Sequence, residues 1–81
     1  MPSRTELAFF VVNTHGGWLV RADGYVYGPY PSFEIAVSSA VHEAQAAGLL
    51  GFASVVLTQA TTGQPYIAEW TYGHNPYPTL T

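Results

Sequence analysis

Hydrophobic and polar positions divide the chain into short two-sided or alternating runs around one segment of helical period. Leu7 to Val12 is a run of aromatic and branched residues, ended by Asn13-Thr14-His15-Gly16-Gly17, and reads as a strand entering a turn with both faces apolar. Trp18 to Arg21 resumes extended character, and Asp23-Gly24 supplies the chemistry of a tight hairpin before a third strand, Tyr25 to Tyr30. Pro29 and Pro31 close that strand, and Ser32 suits the N-cap of a helix starting at Phe33. Along it Phe33, Ala36, Val37, Ala40, Val41, Ala44 and Ala47 recur at three-and-four spacing, one continuous apolar stripe. Glu34 stands in the first turn, where a negative charge complements the dipole, and Gly48 suits the left-handed residue just past the end.

After an apolar connection, Leu49 to Phe52, the pattern predicts a fourth strand over Ala53 to Thr58 and a fifth over Tyr66 to Tyr72, joined by a loop with Gly63 and Pro65. The fifth alternates, with Tyr66, Ala68, Trp70 and Tyr72 on one face and Ile67, Glu69 and Thr71 on the other. The expected fold is therefore a single α+β domain over residues 1–81, an antiparallel sheet with one helix packed on one face, in the order βββαββ. Residues 1–6 form a polar N-terminal segment, and 73–81 an extended tail rich in proline and glycine.

Composition sharpens this picture. A chain of 81 residues buries only about 60 to 65% of its unfolded surface, so its core is thin and association with another chain is a natural supplement. The absence of cysteine removes disulfides from the alternatives. The ionic residues are Arg4, Arg21, Glu6, Asp23, Glu34, Glu43 and Glu69, while apolar types make up 48% of the chain, so much of the surface is uncharged. With no lysine and a net charge of -3, no basic stripe is available to neutralise phosphates, which argues against nucleic-acid binding. The longest apolar stretches, Leu7 to Val12 and Ala53 to Leu57, fall far short of the roughly 20 residues of a membrane-spanning helix. The polar start has no signal-peptide pattern, and the expected location is cytoplasmic.

Gly17-Trp18-Leu19-Val20, Asp23-Gly24, the alanine-spaced helix and the final Thr71-Tyr72-Gly73-His74-Asn75-Pro76-Tyr77-Pro78 together resemble a short bacterial and phage family known as domain of unknown function 2188 (DUF2188). The resemblance runs from about Leu7 to Pro78 and is most specific in the tail. It implies the same small α+β module and no activity. Members of that family carry several lysines or arginines on the helix and after the tryptophan, whereas this helix has none and only Arg21 follows Trp18. The family's suggestion of nucleic-acid contact therefore does not carry over.

Candidate chemistry is sparse. His15, His42 and His74 fall in a turn, a helix and the tail without metal-ligand spacing, and no metal site or cofactor is expected. Ser38, Ser39, His42 and Glu43 cluster in sequence, but no nucleophile elbow or oxyanion motif accompanies them, so the chain does not read as an enzyme. Gly16-Gly17 and Gly48/Gly51 lack dinucleotide and phosphate-loop spacing.

The aromatic residues carry more information. Trp18, Tyr25, Tyr27, Tyr30, Trp70, Tyr72 and Tyr77 fall in the first three strands, the last strand and the tail. One helix covers one face of a sheet, so apolar side chains on the other face must meet the tail, a second chain or a ligand. Burying a patch of about 400 Å² contributes on the order of 10 kcal/mol gross, before the entropy of association is set against it. The leading expectation is a non-enzymatic interaction module that self-associates as a homodimer or higher homo-oligomer, through the helix-free face or an exposed edge strand. Trp18, Tyr25, Tyr27, Trp70, Tyr72 and Tyr77 are its interface or ligand candidates. A small-ligand or peptide site lined by Trp18, Tyr27, Trp70 and Tyr77 is one alternative. A nucleic-acid-associated accessory protein, by analogy of fold, is the other.

Overall fold

A computed structural model describes residues 6–59, 61 and 63–73. The elements are β1 (Glu6–Thr14), β2 (Gly17–Ala22), β3 (Tyr25–Tyr30), α1 (Phe33–Leu49), β4 (Ala53–Thr58) and β5 (Ile67–Thr71), in the anticipated βββαββ order. Residues 1–5 and 74–81, which hold most of the expected N-terminal segment and tail together with Tyr77, lie outside the described residues.

The first three strands form the meander the turn residues predict. Thr14 pairs with Gly17 across a two-residue turn, where the Thr14 hydroxyl accepts from Gly16 N and donates to Gly17 O. Ala22 pairs with Tyr25 around Asp23-Gly24, whose φ values of 47° and 86° are those of a hairpin turn that twists with its strands.

The sheet is mixed rather than wholly antiparallel. Its lateral order is β3-β2-β1-β4-β5, and β4 lies parallel to β1, with Glu6 opposite Ala53 and Val11 opposite Thr58. The cause is the helix: α1 carries the chain from the end of β3 back to the end of the sheet where β1 begins. The next strand therefore runs in the direction of β1, and β5 adds antiparallel outside it. β1 becomes the central strand, with one apolar face under the helix and the other on the helix-free side of the sheet.

α1 starts as predicted, with Ser32 Oγ accepting from Ile35 N at 3.2 Å. It runs past Gly48 to Leu49, so Gly48 is a buried helical residue, and the left-handed turn falls at Gly51 with φ 105°. The buried stripe is Ala36, Ala40, Val41, Ala44, Ala47 and Gly48. These small side chains let the helix lie close to the sheet, above Phe9, Val11, Val20, Ala22, Val56 and Trp70. Ser54, also buried, donates from Oγ to Ala44 O at 2.6 Å and ties β4 to the helix.

β5 departs from simple alternation. Val56 pairs with Trp70 but Leu57 pairs with Ala68, so Glu69 is the extra residue of a bulge. The bulge sends Tyr66 and Trp70, expected on one face, to opposite faces. Trp70 joins the core under the helix, and Tyr66 packs edge-on against Phe10 on the other side. Glu69 reaches Thr58, whose Oγ1 donates to Glu69 Oε1 at 3.3 Å.

Candidate functional interface

Register and alternation define the two faces of the sheet. On the covered face lie Leu7, Phe9 and Val11 of β1, with Val20 and Ala22 of β2 and Ser54, Val56 and Thr58 of β4. The intervening positions, Ala8, Phe10 and Val12, Leu19 and Arg21, and Val55 and Leu57, point to the outer, helix-free face. Val26, opposite Arg21, and Ala68, opposite Leu57, continue that face toward both edges.

Four of the predicted interface aromatics, Trp18, Tyr27, Trp70 and Tyr72, belong to the covered face. Trp70 is 5% exposed, and its ring meets Tyr72 at a centroid distance of 6.2 Å. Tyr72 in turn lies against Gly48 of α1. Trp18 packs edge-on against Phe33, the first residue of the helix, at 5.1 Å, and Tyr27 and Tyr30 border the same core. Tyr25, opposite Ala22, is 66% exposed and belongs to the rim. Trp18 and Trp70 stand three strands apart in the lateral order, about 14 Å at the usual strand spacing. The structure thus does not gather Trp18, Tyr27 and Trp70 into one patch, and Tyr77 is outside the described residues. With the helix above them, these rings seal the flanks of an alanine-lined core that would otherwise be too thin.

Residues not singled out from the sequence line the outer face. Phe10, Val12, Leu19, Val55 and Leu57 are half-buried, while Val26 is 58% exposed. The alternation of Phe10 and Val12 with Phe9 and Val11 carried the signal, once β1 is known to be central. A groove of about 370 Å³ opens on this face, lined by Phe10, Val12, Arg21, Asp23, Val26 and Tyr66 among others. A second cavity of about 230 Å³ lies beside the helix, between Tyr25 and Tyr27 and the end of α1 at Ala47 and Leu50.

Polar chemistry does not converge. His15 is in the β1–β2 turn, and Ser38, His42 and Glu43 are exposed on the solvent side of α1. Among the described residues no group of three or more His, Cys, Asp or Glu side chains comes together, and no helix is long and apolar enough to cross a membrane. No family model, curated protein or solved structure matches the chain. The likeness to DUF2188 rests on the residues quoted for it alone.

Proposed function

We propose that this protein is a non-enzymatic interaction module that self-associates through the outer face of its sheet. The observation carrying this reading is that Ala8, Phe10, Val12, Leu19, Val26, Val55, Leu57 and Ala68 share a face from edge to edge, interrupted centrally by one charge, Arg21. Five strands and about six residues of each make a footprint of roughly 450 Å². An apolar face of that extent supports an interaction surface, since the largest apolar patch of a monomer is often functional.

Edge-to-edge assembly is the weaker route. The β3 edge contains Pro29, which has no N–H to offer, and the five-residue β5 edge is distorted by the Glu69 bulge. Both devices blunt a strand against further pairing. Face-to-face packing of two sheets, about 10 Å apart, instead uses the apolar side chains directly. The footprint is at the small end for a specific interface, so weak association of about micromolar Kd is the expectation the test is set for.

Sedimentation from about 1 to 500 μM, spanning that range, tests the proposal. A concentration-dependent shift from monomer to dimer is expected, and Leu57→Glu should abolish it with the far-UV circular dichroism spectrum retained. A wild-type monomer throughout this range overturns it.

A further inference from the structure

The outer face carries its own instruction for how a second copy sits. We propose that two chains dock about a two-fold axis that places Arg21 of each against Asp23 of the other. This rests on the self-association just proposed and specifies its register.

Arg21 stands mid-sheet, directly across from Phe10 on one side and Val26 on the other. Among the described residues neither Arg21 nor Asp23 has an ion-pair partner within the chain, and both line the outer-face groove, Asp23 from the turn, where it also borders the helix-side cavity. Covering an unpaired guanidinium with apolar surface is strongly unfavourable, so whatever docks here must bring an acceptor to it. A second copy brings one in Asp23. A two-fold interface repeats every contact with the roles exchanged, and a single operation therefore pairs both arginines and both aspartates.

The register makes this operation compatible with the rest of the face. Asp23 is the first residue of the hairpin turn just past the end of β2, with φ 47°, so it lies beyond Arg21 along the strand direction by less than the roughly 7 Å of two extended residues. An axis midway between them, in the plane between the sheets and perpendicular to the strands, passes level with Phe9 of β1, because Arg21 is opposite Phe10 and Val20 opposite Val11. The row at Phe10 and Leu57 then falls on the row at Ala8 and Val55 of the second copy, since Ala8 pairs with Val55 and Phe10 with Leu57. Phenylalanine meets alanine, and leucine meets valine, so large side chains enter gaps left by small ones. Glu6, also on this face, lies four residues from Phe10 on β1 and is the rival acceptor.

Two variants separate these outcomes. Arg21→Glu and Asp23→Lys each set like charges together in their own homodimer, and each should weaken self-association by about tenfold or more, in line with close interfacial charge pairs. Mixed in equal amounts they make both pairs attractive, and a heterodimer of near wild-type affinity is expected by sedimentation with one chain labelled. Asp23 has positive φ, so circular dichroism must first show the lysine variant folded. Loss of affinity in Arg21→Glu alone, or a mixture that fails to associate, overturns the pairing and leaves self-association standing. A wild-type chain that stays monomeric removes both.

Discussion

Replacing Gly48 with alanine puts a single methyl group where the fold has given its space to a tyrosine ring. A Cβ on Gly48 would overlap Cγ and Cδ1 of Tyr72 and stand 2.6 Å from Cδ2. The ring must therefore lift off the helix. If about 60 to 100 Å² of apolar contact is lost, the cost is about 1.5 to 2.5 kcal/mol. Weakening the edge contact of Tyr72 with Trp70 adds about 0.5 to 1 kcal/mol. Alanine's advantage over glycine inside a helix returns about 1 kcal/mol. Net destabilisation of about 1 to 2.5 kcal/mol remains, a fall of about 5 to 15 °C in Tm for a domain of this size. Thermal and urea unfolding at one fixed protein concentration would measure it, since self-association makes Tm depend on concentration. In a Tyr72→Ala background the same change should reverse sign and stabilise by about 1 kcal/mol, because only the helix preference is left. A rise in Tm on Gly48→Ala alone, or an equal loss with and without the tyrosine ring, would refute the placement of Tyr72 against the helix.

Two further substitutions probe the core and its entry. Trp70→Ala should cost about 3 to 5 kcal/mol, comparable with the entire stability of a small domain, and the variant is expected to lose its far-UV signal at 25 °C; a cooperative transition close to wild type would contradict the burial of Trp70 under α1. Ser32→Ala removes the acceptor for Ile35 N and should lower stability by about 1 kcal/mol, read as a shift in the urea midpoint with unchanged slope, whereas Ser32→Asp should retain wild-type stability.

The helix, its start at Ser32, the Asp23-Gly24 hairpin and the element order were legible because each is fixed by neighbours in sequence: a cap, a turn dipeptide, a period. The end of the helix was not. Gly48 has the residue type of a stop signal, but it lies within the helix, where the Tyr72 ring just past β5, more than twenty residues away, fills the space that a side chain would take. The faces of β5 differ from the expectation for a similar reason, since alternation over Tyr66 to Tyr72 assumes a regular ladder and the pairing with β4 inserts Glu69 as a bulge.

What the sequence determined by itself is the set of elements and the existence of an apolar excess that one helix cannot cover. The tertiary structure alone decided which residues make up that excess. Aromatic type drew attention to Trp18, Trp70 and Tyr72, yet the helix takes those rings, and the outer face falls to Phe10, Val12, Val26 and Leu57. Lateral strand order is a long-range property: only when α1 returns the chain beside β1 does that strand become central, with one face sealed and the other open. Local periodicity contains no record of which strand will be the neighbour, and the neighbour decides what is buried.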